Sequence, residues 1–205
     1  MVQSSRNGNN VELKEEDFMN IKLQQRDIDI IEFIKRVTVA DTTTLYKIFF
    51  SRSCGLRTCQ ERLTKLVNAK RIKRFRESTF DEYIYYINKK PSSYLHKIVF
   101  SRLIAKLKEE NIEIIKYKTP LKFFNIIADG FIVYKDNGLK MAFVEIERTK
   151  YFDEDKYNKL YYSREWKKYF SEFPDIWIIT DKNIKNTNKR LRLKVFKLDL
   201  SDLNV

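Results

Sequence analysis

Apolar residues recur at helical spacing through the first third of the chain and shift to strand-like alternation beyond about residue 110. After Asp27, read as an N-cap, Ile30, Ile31, Ile34 and Val37 make a stripe along one helix face. Thr42 or Thr43 is placed to cap a short second helix that buries Leu45, Tyr46 and Phe49, and residues 51–55 read as a turn. A third helix over about 56–69 would bury Cys59, Leu63, Leu66 and Val67. That leaves Arg57, Thr58, Gln60, Arg62 and Lys65 on its outer surface. Two alternating, β-prone segments follow, 71–76 and 82–87, joined by the turn-like residues 77–81.

Pro91 interrupts this pattern, and Leu95, Val99, Leu103 and Leu107 then carry a helix to about residue 110. Strands are expected over 112–117, 126–134 and 140–147, then a charged helix over 153–171. A fully apolar strand at 176–180 and a last one near 193–198 complete an α-β-β-β-α-β-β order, with no internal repeat. The predicted fold class is therefore α+β. Its expected parts are a flexible N-terminal segment over 1–23, a winged helix-turn-helix over 24–90, and a small αβββαβ domain over 91–205.

Charge sharpens the first module. The chain carries 41 Lys and Arg against 28 Asp and Glu, a formal net charge of +13. Residues 47–90 hold twelve cations and four acids, and 182–197 hold seven cations and no acid. A basic third helix followed by a basic hairpin suits a major groove and its neighbouring phosphates. The expected DNA contacts are Arg57, Thr58, Gln60, Arg62 and Lys65 on the helix, with Arg71, Lys73, Arg74 and Arg76 on the wing. A solvated cationic face or a protein-contact module is the competing reading. Winged helices that read palindromic sites are commonly dimers, so a homodimer is a further expectation.

Cys54 and Cys59, with His96 as the only histidine, are too few for a usual zinc site and read as reduced, packed thiols. No signal-like apolar run opens the chain and no stretch of eighteen apolar residues occurs. A cytoplasmic protein without a membrane partner is expected.

The second module carries the candidate chemistry. If Asp136, Asn137 and Gly138 form a three-residue turn with glycine left-handed, Lys135 faces Leu139 and Asp129 lies opposite Glu145. Two-residue periodicity then puts Glu147 on the same face. A two-residue turn at Asn137 and Gly138 would send Asp129 to the other face. Converging carboxylates of this kind can hold Mg²⁺ and activate water against a phosphate, with Asp129 and Glu145 as ligands. Equally, Glu145 and Glu147 could leave the core at a strand end beside Arg148 or Lys150.

These residues carry a resemblance. Ile-Ala-Asp129-Gly followed by Phe-Val-Glu145-Ile-Glu147-Arg-Thr resembles the Asp...(Asp/Glu)-x-Lys core of restriction-type nucleases. With the winged-helix stretch, the Leu95-His96 helix opening and Lys159-Leu-Tyr-Tyr162, residues 24 to 180 resemble the plasmid replication-relaxation family. That resemblance implies a duplex-DNA-binding protein of a plasmid or other mobile element, acting in replication or mobilisation alongside proteins of those processes. Its nuclease-like domain would be either silent or a metal-dependent endonuclease. Glu147 stands where the catalytic lysine would be, so Lys159, or else Lys150, is expected to supply the cation.

Overall fold

The computed structural model describes residues 21–184 and 187–204, so the segment expected to be flexible lies outside the described residues up to residue 20. The fold is α+β. Its first half runs α1 (Gln25–Val37), β1 (Ala40–Asp41), α2 (Thr42–Phe49), α3 (Leu56–Asn68), β2 (Lys73–Phe75) and β3 (Ile84–Tyr86). The three strands form an antiparallel sheet in the order β1-β3-β2. The two-residue β1 has no counterpart in the sequence reading, because a pair of residues shows no alternation.

Two helix starts differ from expectation. Asp27 lies inside the first turn of α1, where its Oδ2 accepts a hydrogen bond from the Gln24 N–H at 2.7 Å. Asp41, not a threonine, caps α2, its Oδ1 accepting from the Thr44 N–H at 2.7 Å. At α1 the cap residue, Gln24, comes three residues before the expected one, and at α2 the capping carboxylate comes one residue before the nearer of the two expected threonines.

The second half runs α4 (Tyr94–Glu109), β4 (Glu113–Lys118), β5 (Leu121–Phe123), β6 (Ile126–Ala128), β7 (Gly130–Lys135) and β8 (Leu139–Ile146). It continues through α5 (Glu154–Ser163), a 3₁₀ turn (Glu165–Lys168), β9 (Asp175–Ile179) and β10 (Leu193–Phe196). Five strands form one sheet in the order β10-β9-β8-β7-β4, antiparallel from β4 to β8 and parallel from β8 to β10, while β5 and β6 pair as a separate hairpin. The single strand expected over 126–134 is thus two, broken at Asp129. The long charged helix ends early, because Arg164 turns left-handed at φ 58°.

The sheet separates two apolar layers. On one face Ala142, Val144, Ile146, Trp177 and Ile179 meet Phe100, Leu103 and Leu107 of α4. The same layer continues without a break into Ile30, Ile34, Leu45 and Leu63 of the first half. On the other face Phe143, Ile176 and Ile178 pack with Tyr157 and Leu160 of α5, Trp166 and Phe173. Helix α4 therefore has α1, α2 and β1 on one side and β4 and β8 on the other.

Candidate functional site

The β7–β8 turn decides where the carboxylates go. Residues 136–138 form a three-residue turn, with Lys135 paired to Leu139 and the ladder running to Gly130 opposite Val144. Asn137 takes the left-handed position at φ 47°, and Gly138 adopts φ 130° beside it. One step beyond the ladder, Asp129 falls level with Glu145. Phe143 and Glu145 face the α5 side, and Ala142, Val144 and Ile146 face α4.

Asp129 is held in the gap between β6 and β7. Its Oδ2 accepts the Ile146 N–H at 2.8 Å, and its backbone carbonyl accepts from Thr119 Oγ1 at 2.6 Å. Gly130 is required next to it: a Cβ there would lie 2.0 Å from Cε2 of Phe100, so the α4 ring occupies the space a side chain would need. That contact brings α4 close, and His96 lies one turn earlier with Nδ1 3.7 Å from Asp129 Oδ2. His96 thus reaches the end of the sheet. An open pocket of about 340 Å³, lined by Ser93, His96, Lys97, Thr119, Pro120 and Asp129, lies beside the pair.

Glu145 is 3% exposed. Its Oε1 accepts from Lys156 Nζ at 2.9 Å and from the Tyr157 hydroxyl, both on α5. Burial pushes its carboxyl up to about 7, against the opposing pull of the Lys156 charge and the Tyr157 hydrogen bond, with Asp129 adding to the rise. Burial also drives the Tyr157 phenol well above its usual range, reinforced by Glu145. Glu147 lies just past β8, its N–H donating to the Ile179 carbonyl at 2.9 Å and its own carbonyl accepting from Thr180 Oγ1 at 2.8 Å. Burial, and then the Asp129 charge, raise its carboxyl above the ordinary range.

The cation at this cluster is Lys156, in place of the expected Lys159. Lys156 lies four residues before Leu160 and so shares the helix face that meets the sheet, while Lys159 stands about 100° round the helix and is exposed. Lys156 Nζ also reaches the Ile127 carbonyl at 3.3 Å. Sequence reasoning missed both Lys156 and Tyr157 as partners of Glu145. The available clue was that a buried tyrosine needs an acceptor for its hydroxyl.

Part of the acceptor capacity of these carboxylates is already taken up within the chain. Mg²⁺ needs ionised oxygens with free lone pairs. Here one Asp129 oxygen is spent on a backbone amide, and Glu145 Oε1 already receives an ammonium and a phenol. Among the described residues, no group of three or more His, Cys, Asp or Glu side chains is placed to hold a metal ion.

The expected DNA-facing residues divide into two sets. Arg57, Thr58, Gln60, Lys65 and Arg71 are exposed, Arg57 with an ion pair to Glu61 at 3.0 Å. Arg62, expected on the outer surface, is turned inward. Its Nε donates to Asp27 Oδ1 at 2.8 Å and its Nη2 to Oδ2, beneath α1. The reason is helical spacing, since residue 62 lies three after buried Cys59 and four before buried Leu66. Burial raises the Asp27 carboxyl, but the Arg62 hydrogen bond and charge outweigh this and hold it below its ordinary value. On the hairpin, Lys73 Nζ donates to the Asn88 carbonyl at 2.9 Å. The guanidinium of Arg74 lies 4.0 Å from the centre of the Tyr83 ring and that of Arg76 lies 4.9 Å from it, so both heads are oriented by one aromatic residue.

Comparison with known proteins finds no matching family model, no matching curated protein and no matching solved structure. Among the described residues, no helix is long and apolar enough to cross a membrane.

Proposed function

We propose that this chain binds duplex DNA through its first half, with α3 as the groove-facing helix and β2–β3 as the wing, on a plasmid or other mobile element. In this reading the second half is a nuclease-like scaffold that does not cut. One observation carries the DNA reading: α3 offers Arg57, Thr58, Gln60 and Lys65 to solvent on the side away from its buried Cys59, Leu63 and Leu66. The α1-β1-α2-α3-β2-β3 order, with β3 central in the sheet, is that of a winged helix-turn-helix and supports the assignment. Arg71 extends the exposed cations toward the wing.

Mechanistically, lysine and arginine heads displace counterions from phosphates, while Gln60 and Thr58 can meet base edges. Arg62 acts differently. Held on Asp27, it fixes the angle between α1 and α3. The silent-scaffold reading rests on the Glu145–Lys156–Tyr157 arrangement, in which an ammonium and a phenol both donate to one Glu145 oxygen, and on Glu147 standing where the resemblance expects a lysine. The test is fluorescence anisotropy with a labelled duplex at several salt concentrations. Replacing Arg57, Lys65 and Arg71 by alanine is expected to weaken binding tenfold or more and to flatten the salt dependence, by a slope of about 0.9 for each phosphate no longer neutralised. Unchanged affinity and slope in that variant would remove the proposed interface. Magnesium-dependent cleavage that is abolished in Asp129→Ala would favour an endonuclease instead.

A further inference from the structure

At the end of the β5–β6 hairpin opposite Asp129, one aromatic ring, Phe124, reaches the surface. Pairing of Phe123 with Ile126 leaves Phe124 and Asn125 as a two-residue turn, and Phe124 adopts φ 48°. That is the left-handed region, which a bulky side chain rarely takes and which glycine would occupy without strain. The ring is nonetheless 38% exposed, edge-on to Phe123 at 4.7 Å and to Tyr169 at 5.6 Å between centroids. Tyr169 is itself 65% exposed. Beneath them Phe123 packs on Phe143 and Phe170, so the outer rings stand on the core and are not loose.

The two-residue turn itself calls for left-handed backbone at this position, but it does not call for a phenylalanine whose ring is left 38% exposed. The flanking charges narrow what could cover it. Lys122 precedes Phe123, and Lys168 precedes Tyr169; both are exposed and neither has an ion pair among the described residues. We infer that Phe124 and Tyr169 form a stacking platform for the unpaired bases of a single-stranded nucleic acid, whose phosphates meet Lys122 and Lys168. Rings with adjacent unpaired cations are the combination that single strands require, because every base has a π-face and every linkage a negative charge. Duplex DNA hides those base faces, so this platform acts independently of α3.

The experiment uses the full chain, a short fluorescein-labelled oligothymidylate and a labelled duplex, again read by anisotropy. The variant is Phe124→Gly with Tyr169→Ala. Glycine relieves the φ 48° position, so the turn remains foldable while the ring is removed. The double variant is expected to bind oligothymidylate about tenfold or more weakly while duplex affinity stays unchanged. Equal oligothymidylate affinity in variant and parent, or no binding by the parent, overturns the inference. Loss of self-association in the variant, seen by sedimentation with oligothymidylate affinity unchanged, would assign the patch to a second copy and also overturn it. If the parent binds oligothymidylate through these rings but no duplex, the proposed function fails while this inference stands.

Discussion

Glu145 and Lys65 show two opposite uses of charge in one chain. Glu145 is buried to 3% exposure with a lysine and a tyrosine on one oxygen, whereas Lys65 stands in water on α3 without an ion pair among the described residues. Around β8 and α5 the polar groups answer one another, and what they yield is a fixed angle between helix and sheet. On α3 and the wing the cations have at most exposed, local partners, such as Glu61 for Arg57 and the Asn88 carbonyl for Lys73, so their heads are available to an outside polyanion. Arg62 crosses this division: it belongs to the basic helix by position and to the buried set by geometry.

The largest effect expected is therefore from Arg62→Ala. Leaving Asp27 buried without its partner should cost about 4 kcal/mol, read as a lower urea midpoint at constant slope. A loss below about 1 kcal/mol would return Arg62 to the solvent-facing set.

Next is the pH response of the buried carboxyl. Glu145 is raised in the folded protein to about 7 from an ordinary value of 4.5, so the native state holds the proton more tightly than the unfolded chain. Its contribution is complete below about pH 4.5 and is lost as pH rises through about 7, a change of about 3 kcal/mol. Comparing the parent with Glu145→Gln by denaturant titration across this window isolates it. A parent and variant with parallel pH profiles would mean that the cluster is solvated.

A smaller effect tests how Asp129 is held. Gly130→Ala drives a Cβ against the Phe100 ring, and about 2 kcal/mol of destabilisation is expected, with the His96 imidazole NMR signals shifted as α4 moves. Unchanged stability and signals would show that the ring yields freely. The smallest effect is on the other side of the comparison. Arg57→Ala, Lys65→Ala and Arg71→Ala together should leave stability within about 0.5 kcal/mol each, because their heads contact no buried group. A cooperative loss there would reassign these cations to the core.

Much of this is legible in the sequence because side-chain periodicity and turn chemistry act locally. The Asp136-Asn137-Gly138 turn sets the register of β7 on β8, and the alternation along β8 follows from it. Helix α3 is legible to within a residue for the same reason, its buried positions recurring every three or four residues. What stays hidden depends on what lies across a gap. Arg62 and Arg57 are the same residue type on one helix; spacing brings Arg62 to the edge of the buried stripe, but the partner that holds it there, Asp27, lies on α1 and 35 residues away in sequence. Lys159, the partner expected for the carboxylates, and Lys156, the one found, lie on the same helix, and only the burial of Tyr157 and Leu160 shows which face meets the sheet. The β5–β6 hairpin leaves no alternation to read because each of its strands is three residues long.

The placement of α4 has a mechanical corollary. Val99, Phe100, Leu103, Ile104 and Leu107 are each 7% exposed or less, and they are wedged between the first-half helices and the sheet. Each such side chain is worth about 2 kcal/mol of burial, so shortening the protein to its first 90 residues would strip that half of its floor. The chain should melt as one unit, and any ligand gripping one end would raise the melting temperature of the other.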